Sequence, residues 1–330
     1  MPTLSVKENF MRIANRELPE YVSTYDLFWA FNMPPILMGE RNPDGSGKDM
    51  FGVESVIDSG GLNPAMPKTH DFILTDITKW RDVIKVPDFS DVDWEVMAKP
   101  QLDMRNPDLP FGGGTAMGFF QPLVSFMGFT EGLSACFEEP DEVKALLNYL
   151  CDFAVDLAKK FVYYYQPDFG FLADDIAHER NPFLSLEMFQ DIFAPVWRRF
   201  YSVFVEAGLP CGHHNCGHFE LYLDDLVDMG VSFWDPVQSS NDMLAIKDKF
   251  GRSLALCTGP ENRFYDENTT EEQIRSDFRD FMNKLAPGGG FAVFAFLGEP
   301  TEIMPGISER DAMRMRAVAD EFEKLRYSYY

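Results

Sequence analysis

The second half of the chain alternates short apolar runs with helical segments. The runs cover residues 169–173, 209–214, 231–234, 254–257 and 291–296. A regular succession of strand and helix predicts parallel strands joined by crossover helices. Five such units in the second half extrapolate to eight over 330 residues. We therefore predict an α/β fold, a (β/α)8 TIM barrel, with a doubly wound open sheet as the main alternative.

Local signals indicate where several of these helices begin and bend. Residues 187–207 carry apolar side chains at three- and four-residue spacing, and Ser185 precedes them as a helix cap. Pro195 falls inside this segment and predicts a kink. Thr270 starts a Thr-Glu-Glu-Gln capping box, and Ser308 precedes the last amphipathic segment.

The first half of the chain lacks this rhythm. Residues 140–166 predict a long helix with proline in its first turn. Residues 42–96 are rich in turn-forming and aromatic residues, which is more typical of an elaborated cap than of barrel wall. We predict a single domain over residues 1–330, with an N-terminal elaboration within residues 1–100.

Charge and cysteine content exclude several kinds of partner. The chain has 53 acidic and 29 basic residues, a formal net charge of −24, and no basic block. Nucleic acids and anionic membranes are bound through clustered Lys and Arg, so neither is expected as a partner. No apolar run reaches the ~20 residues of a membrane span, and the N-terminus has no signal-like apolar core. An odd number of cysteines, five, argues against a disulfide framework. We expect a cytoplasmic protein.

Residues 209–218 hold three of the five histidines and two of the five cysteines. They lie where a predicted strand ends, which in a barrel is the edge that carries catalytic groups. His214 and Cys216 are two positions apart, so both side chains can point the same way from an extended backbone. Imidazole and thiolate suit zinc. We predict a metal site here; the alternative is a strand end with small buried cysteines.

A catalytic zinc usually keeps three protein ligands and one open position. Cys257 is a candidate third ligand because it ends an apolar run at the same predicted edge. A small thiol buried in a strand is the alternative interpretation of Cys257. Asp175 and Glu299 are oxygen-bearing alternatives for the third position.

Two adjacent acids follow the run 169–173. Neighbouring side chains of a strand point opposite ways, so only one of Asp174 and Asp175 can face the barrel axis. We predict Asp175 and His178, in the same loop, as catalytic groups for proton transfer or metal binding. Asp174 is predicted to orient substrate. A helix N-cap or a loop acid is the alternative role for these carboxylates.

Three further residues are predicted to contact substrate. Gln238 follows the run 231–234 and can hydrogen-bond a ligand or satisfy loop backbone. Aromatic residues make up 15% of the chain. Those near loops, Phe120 and Trp29 among them, can line an apolar pocket for a flat substrate, with core packing as the alternative.

Several segments, taken in order, carry a family resemblance over nearly the whole chain. They are Asp49-Met-Phe-Gly-Val-Glu54, Ile84-Lys-Val-Pro-Asp-Phe, Asp174-Asp175, Asn181-Pro-Phe-Leu-Ser185, Phe193-Ala-Pro195, His214-Asn-Cys-Gly217, Asp235-Pro-Val-Gln238 and Pro287-Gly-Gly-Gly290. Together they resemble the uroporphyrinogen-decarboxylase superfamily, in particular its methyltransferase branch. One such segment is a weak signal, whereas the ordered set is specific.

The resemblance implies a (β/α)8 barrel and a zinc site. Corrinoid-dependent methyltransferases of this superfamily bind zinc through a His-x-Cys pair and a later Cys, which gives His214 and Cys216 the first two roles. Where the later Cys is expected, this chain has Phe294-Ala-Phe-Leu297. The porphyrin decarboxylase itself fits poorly, because its Arg-Gln-Ala-Gly-Arg-Tyr signature is replaced by Arg12-Ile-Ala-Asn-Arg16.

The implied activity is a methyl transfer. A small methylated compound would donate its methyl group to the Co(I) corrinoid of a partner protein, with an aryl methyl ether favoured by the aromatic content. The alternative within the superfamily is a methylcorrinoid:thiol methyltransferase. Further alternatives are uroporphyrinogen decarboxylase and a non-catalytic barrel that docks a corrinoid protein.

Overall fold

The computed structural model describes residues 3–25, 35–37, 39–43, 46–57, 66–114, 118–261, 265–294, 300 and 306–330. Seven parallel strands of this part form one sheet, and four antiparallel strands form a second. The strands are β1 (Ser23–Thr24), β2 (Glu40–Arg41), β3 (Gly47–Lys48), β4 (Glu54–Val56), β5 (Met66–Pro67), β6 (Gly112–Gly113), β7 (Phe169–Ala173), β8 (Cys211–His214), β9 (Val231–Asp235), β10 (Ala255–Thr258) and β11 (Phe291–Val293).

The parallel sheet has the strand order β1-β11-β10-β9-β8-β7-β6. From β6 to β11 each strand pairs with the next one along the chain. A doubly wound sheet would reverse direction at a switch point, and this sheet does not. Ala173 pairs with His214, and His214 pairs with Asp235, so the carboxyl ends of β7, β8 and β9 lie side by side.

The parallel sheet is curled. Phe10 packs against Tyr25, just after β1, at 5.7 Å between ring centroids, and against Phe169 of β7 at 6.1 Å. Four strands separate β1 from β7 in the sheet, so one side chain can contact both only if the sheet bends towards itself. The interior also holds Phe233 and Ala292. The structure thus shows a half-barrel; within the described residues no ladder joins β6 to β1 to close it.

The helices follow the boundary signals in the sequence. Ser185, Thr270 and Ser308 each accept a hydrogen bond from a first-turn N–H, which confirms the predicted caps. The predicted helix 187–207 is divided at Phe193, and Pro195 lies in the first turn of its second part, where the ring removes no hydrogen bond. The helices are Val6–Ala14, Trp80–Val83, Trp94–Met104, Phe120–Met127, Phe129–Glu138, Pro140–Lys160, Leu186–Ile192, Ala194–Glu206, Leu223–Asp228, Met243–Phe250, Glu271–Leu285 and Glu309–Leu325.

Shorter helical turns also occur in the described residues. One π-helical turn, Phe161–Tyr165, continues the long helix that begins at Pro140. The 3-10 turns are Pro35–Leu37, Ile77–Lys79 and Glu220–Tyr222. In the described part of the chain, no helix is both long enough and apolar enough to span a membrane.

Strands β2 to β5 form the antiparallel sheet between residues 40 and 67. They are inserted in the chain between β1 and β6 and form a sheet of their own, apart from the parallel sheet. Phe51 packs edge-on against Phe126 at 5.2 Å, so the insertion lies against the helix Phe120–Met127 that follows β6. Val53 is buried in the same apolar core.

Candidate metal centre

Three side chains converge at the carboxyl ends of β7 and β8. Asp175, His214 and Cys216 each place one ligand atom within 4.8 Å of the other two, and they form the only such group in the residues that the structure describes. Asp175 follows β7, His214 ends β8, and Cys216 lies two residues further on. The register between β7 and β8 is what brings the carboxylate to the His-x-Cys pair.

The two nitrogens of His214 face different partners. Nδ1 lies 3.0 Å from Oδ2 of Asp235, whose side chain is fully buried. Nε2 lies 3.8 Å from Sγ of Cys216 and 3.9 Å from Oδ1 of Asp175. A carboxylate that accepts from Nδ1–H leaves the lone pair of Nε2 free, as in many metal-binding histidines. The donor set and the orientation of the ring therefore fit a bound metal ion.

The metal-free site favours a charged imidazole. Burial lowers the pKa of His214, but hydrogen bonds to Asp235 and Cys216 and the charges of Asp235 and Asp175 outweigh it and raise the pKa to about 11. A dication must displace this proton, because only the neutral ring can be a ligand. The side chain is 26% exposed, so the site is open to solvent.

Two hydrogen bonds hold Asp175. Its Oδ2 accepts from Nε2 of Gln121 at 3.1 Å, and its Oδ1 accepts from the backbone N–H of Cys216 at 2.7 Å. The first bond ties the carboxylate to the helix Phe120–Met127, and the second ties it to the loop of the His-x-Cys pair. Asp175 is thus placed by two elements at once.

Residues 102–291 match the uroporphyrinogen decarboxylase (URO-D) family. The chain belongs to this family. Among solved structures, a methyltransferase from Methanosarcina mazei is similar with a TM-score of 0.67 and 14% sequence identity, over 97% of this chain and 99% of that chain. At this identity the likeness shows a shared fold. No curated protein matches the chain by sequence.

Asp174 has a structural role in this URO-D family protein. Its carboxylate is fully buried and accepts hydrogen bonds from the backbone N–H groups of Phe119, Phe120 and Gln121 and from the indole of Trp197. Burial raises its pKa to about 6, although these hydrogen bonds favour the ionised form. The predicted contact with substrate does not fit a carboxylate without solvent access, and the alternative, a helix cap, does.

Phe120 and Gln238 also have structural roles. Phe120 is 1% exposed and stacks on Phe183 at 5.5 Å, so it belongs to the core and not to a pocket wall. Oε1 of Gln238 accepts a hydrogen bond from the N–H of Gly217 at 2.6 Å. This bond satisfies loop backbone, which is the alternative given for Gln238 in the sequence analysis. Trp29 and Glu299 lie outside the described residues.

Cys257 does not join the metal group. Its side chain is fully buried with Phe233 and Ala292 inside the curled sheet. Burial raises the pKa of this thiol well above its ordinary value. The structure does not bring Cys257 to His214 and Cys216; the third donor atom within reach of this pair belongs to Asp175.

His178 lies on an exposed loop beside the metal group. Its carbonyl accepts from the N–H of His218 at 2.9 Å. Gly217 has a φ of +85°, and a Cβ there would lie 2.8 Å from the backbone of His178. A side chain at residue 217 would thus separate the two loops. Nδ1 of His178 accepts from the N–H of Arg180 at 3.3 Å, so the neutral ring carries its hydrogen on Nε2.

Sequence reasoning missed two residues of the site. Asp235 appears in the sequence analysis only within a segment of the family resemblance, and Gln121 does not appear there. Asp235 ends a buried strand in register with His214, and that pairing is a property of the sheet. Gln121 reaches Asp175 from a helix 54 positions away in the chain. Neither relationship leaves a local sequence signal.

Proposed function

We propose that this URO-D family protein is a zinc-dependent methyltransferase that moves the methyl group of an aryl methyl ether to the Co(I) corrinoid of a partner protein. The observation that carries the proposal is the convergence of Asp175, His214 and Cys216, with His214 oriented by the buried Asp235. The family and the similarity of fold to a methyltransferase support the reaction class.

The donor set suits zinc in a catalytic role. Imidazole nitrogen, thiolate sulfur and carboxylate oxygen are its three usual ligand types, and three protein ligands leave a fourth position for substrate. The side chains of His214 and Asp175 are 26% and 32% exposed, so a small molecule can reach the group. Asp175 replaces the thiolate that the methyltransferase resemblance leads one to expect.

The replacement of sulfur by oxygen favours an oxygen-containing substrate. A carboxylate is a harder and less electron-donating ligand than a thiolate, so zinc held by this set would be a harder Lewis acid and would favour oxygen as its fourth ligand. Cleavage of a methyl ether leaves negative charge on oxygen, and that charge must be stabilised. Bound zinc would supply Lewis acidity towards this atom.

The residues of the chain would hold the metal and deliver a proton. The metal would be bound by Asp175, His214 and Cys216. Asp235 would hold the ring of His214 in place, and Gln121 would do the same for the carboxylate of Asp175. In its charged form, His178 is our proposed proton donor to the departing oxygen, since its loop packs on the His-x-Cys segment.

A cobalt assay tests this proposal. Zinc-loaded protein is incubated with Co(I) corrinoid and, separately, methoxyarenes, methanol, methylamines and thiols, and the visible spectrum of cobalt is followed. We expect methyl-cobalt to form with methoxyarenes, and His214→Asn to abolish its formation. The exposed His70 provides a matched control as His70→Asn, which should retain activity.

Two outcomes would contradict the proposal. Failure of every methoxyarene to methylate cobalt would exclude the aryl ether as donor. Demethylation of methyl-cobalt by thiols alone would show that the transfer runs from corrinoid to sulfur.

A further inference from the structure

A buried chain of hydrogen bonds connects the first strand of the sheet to the metal group. The hydroxyl of Tyr25 donates to Oδ1 of Asp235 at 3.1 Å. Oδ2 of the same carboxylate lies 3.0 Å from Nδ1 of His214. Nε2 of that ring faces Cys216 and Asp175. The phenol therefore lies two hydrogen bonds from the proposed ligand atom.

The bond from Tyr25 crosses the interior of the curled sheet. Tyr25 follows β1 and Asp235 ends β9, and two strands, β11 and β10, separate them in the sheet. The ring of Tyr25 is 3% exposed and packs against Phe10, Phe233 and Phe294 at 5.7, 6.1 and 5.1 Å. Three aromatic contacts hold the ring, so its hydroxyl has a defined position.

Asp235 depends on this hydroxyl. Its side chain is fully buried, and a buried carboxylate needs a donor for each oxygen. His214 provides one donor and Tyr25 the other. Without the phenol, Oδ1 loses this donor and the carboxylate is free to turn. The acceptor that orients His214 would then no longer be fixed.

We infer that Tyr25 is a positioning residue for the metal centre, acting on His214 through Asp235. The inference rests on the proposed function, since it assumes that His214 binds a metal. Partners that orient a metal-binding histidine typically change metal affinity 10- to 100-fold. Tyr25 acts one hydrogen bond further out, so about tenfold is expected.

The test compares Tyr25→Phe with the unsubstituted protein. The substitution removes the hydroxyl and keeps the aromatic packing. Zinc affinity is measured by competition with a chromophoric chelator, and ligand geometry is measured from the visible bands of the Co(II)-loaded protein. We expect Kd to rise about tenfold and the cobalt bands to shift. Tyr21→Phe is the matched control, because this phenol lies four positions earlier, outside the group, and should change neither.

A second substitution separates positioning from general structural support. In the Asp235→Asn background, Tyr25→Phe should have little further effect on Kd, because the phenol acts through that carboxylate. Additive losses would show that Tyr25 acts by another route and would overturn the inference. If Tyr25→Phe does not fold, the unsubstituted protein, labelled at tyrosine Cζ for NMR, is titrated with zinc instead. We expect the NMR signal of a buried tyrosine to shift when zinc binds, and the absence of any shift would overturn the inference.

The results also separate this inference from the proposed function. Equal Kd values and equal cobalt spectra for Tyr25→Phe and the unsubstituted protein would overturn the role of Tyr25 while the metal centre stands. Failure of the unsubstituted protein to bind either zinc or cobalt would overturn the proposed function, and the inference with it.

Discussion

Nδ1 of His214 and Oδ2 of Asp235 lie 3.0 Å apart at the carboxyl ends of two paired strands. Asp235 is fully buried, whereas His214 is 26% exposed, so the ring is anchored on its inner side and open on its outer side. This relationship leaves Nε2 facing Cys216 and Asp175, as the proposed ligand atom.

Loss of the Asp235 carboxylate should weaken zinc binding. Asp235→Asn keeps the shape of the side chain but no longer offers two acceptor oxygens, so the orientation of His214 is lost. We expect the zinc Kd to rise 10- to 100-fold, measured by chelator competition. Asp248→Asn, at an exposed acid in the helix Met243–Phe250, is the matched control and should leave Kd unchanged. An unaltered Kd in Asp235→Asn would exclude its orienting role.

Cys216 follows β8 and Cys257 lies in β10, with β9 between them, and the two cysteines should behave differently. Cys216→Ala removes a proposed ligand and should abolish stoichiometric zinc, measured as metal per chain. Cys257→Ala should retain the metal and cost about 1 kcal/mol of unfolding free energy, because it removes a buried sulfur from a packed interior. Loss of zinc from Cys257→Ala, with Cys216→Ala unaffected, would reverse these assignments.

Asp174 should matter for stability. Its buried carboxylate accepts from three backbone N–H groups at the start of the helix Phe120–Met127 and from Trp197. Asp174→Asn replaces one acceptor oxygen with an NH2 group, a donor that would face the N–H groups now donating to Asp174. We expect a loss of about 1.5–3 kcal/mol in urea unfolding, the range for hydrogen bonds to a charged group. The exposed Asp191 serves as control in Asp191→Asn, and an equal loss in both variants would count against the cap.

Zinc affinity should rise with pH. The pKa of His214 in the metal-free site is raised to about 11, so the ring is protonated at neutral pH and zinc competes with that proton. Raising the pH lowers the proton's occupancy and so strengthens zinc binding. At least one proton released per zinc predicts about a tenfold or larger fall in Kd per pH unit. Calorimetry in buffers of different ionisation enthalpy measures the release, and affinity that does not change with pH would contradict this prediction.

Much of the fold was predictable from local sequence. Strand β7 has the predicted bounds, β8 and β11 lie within their predicted runs, and β9 and β10 extend one residue beyond theirs. The caps at Ser185, Thr270 and Ser308 form as expected because capping needs only residues within one helical turn. The kink predicted at Pro195 becomes a division into two helices.

The His-x-Cys pair was also within reach of sequence reasoning. His214 and Cys216 lie two residues apart, and local backbone geometry is enough to bring their side chains together. Short-range spacing and periodicity thus determined the strand and helix rhythm and two of the three proposed ligands.

Tertiary structure decided the rest of the site. Asp175, Asp235 and Tyr25 come from three other strand ends, and they meet His214 only through the register and curl of the sheet. Two adjacent carboxylates differ in burial and therefore in role. Asp175 is partly exposed to solvent, whereas Asp174 is fully buried and caps a helix inside the protein. Register and burial depend on contacts between residues far apart in the chain, and no short window of sequence contains them.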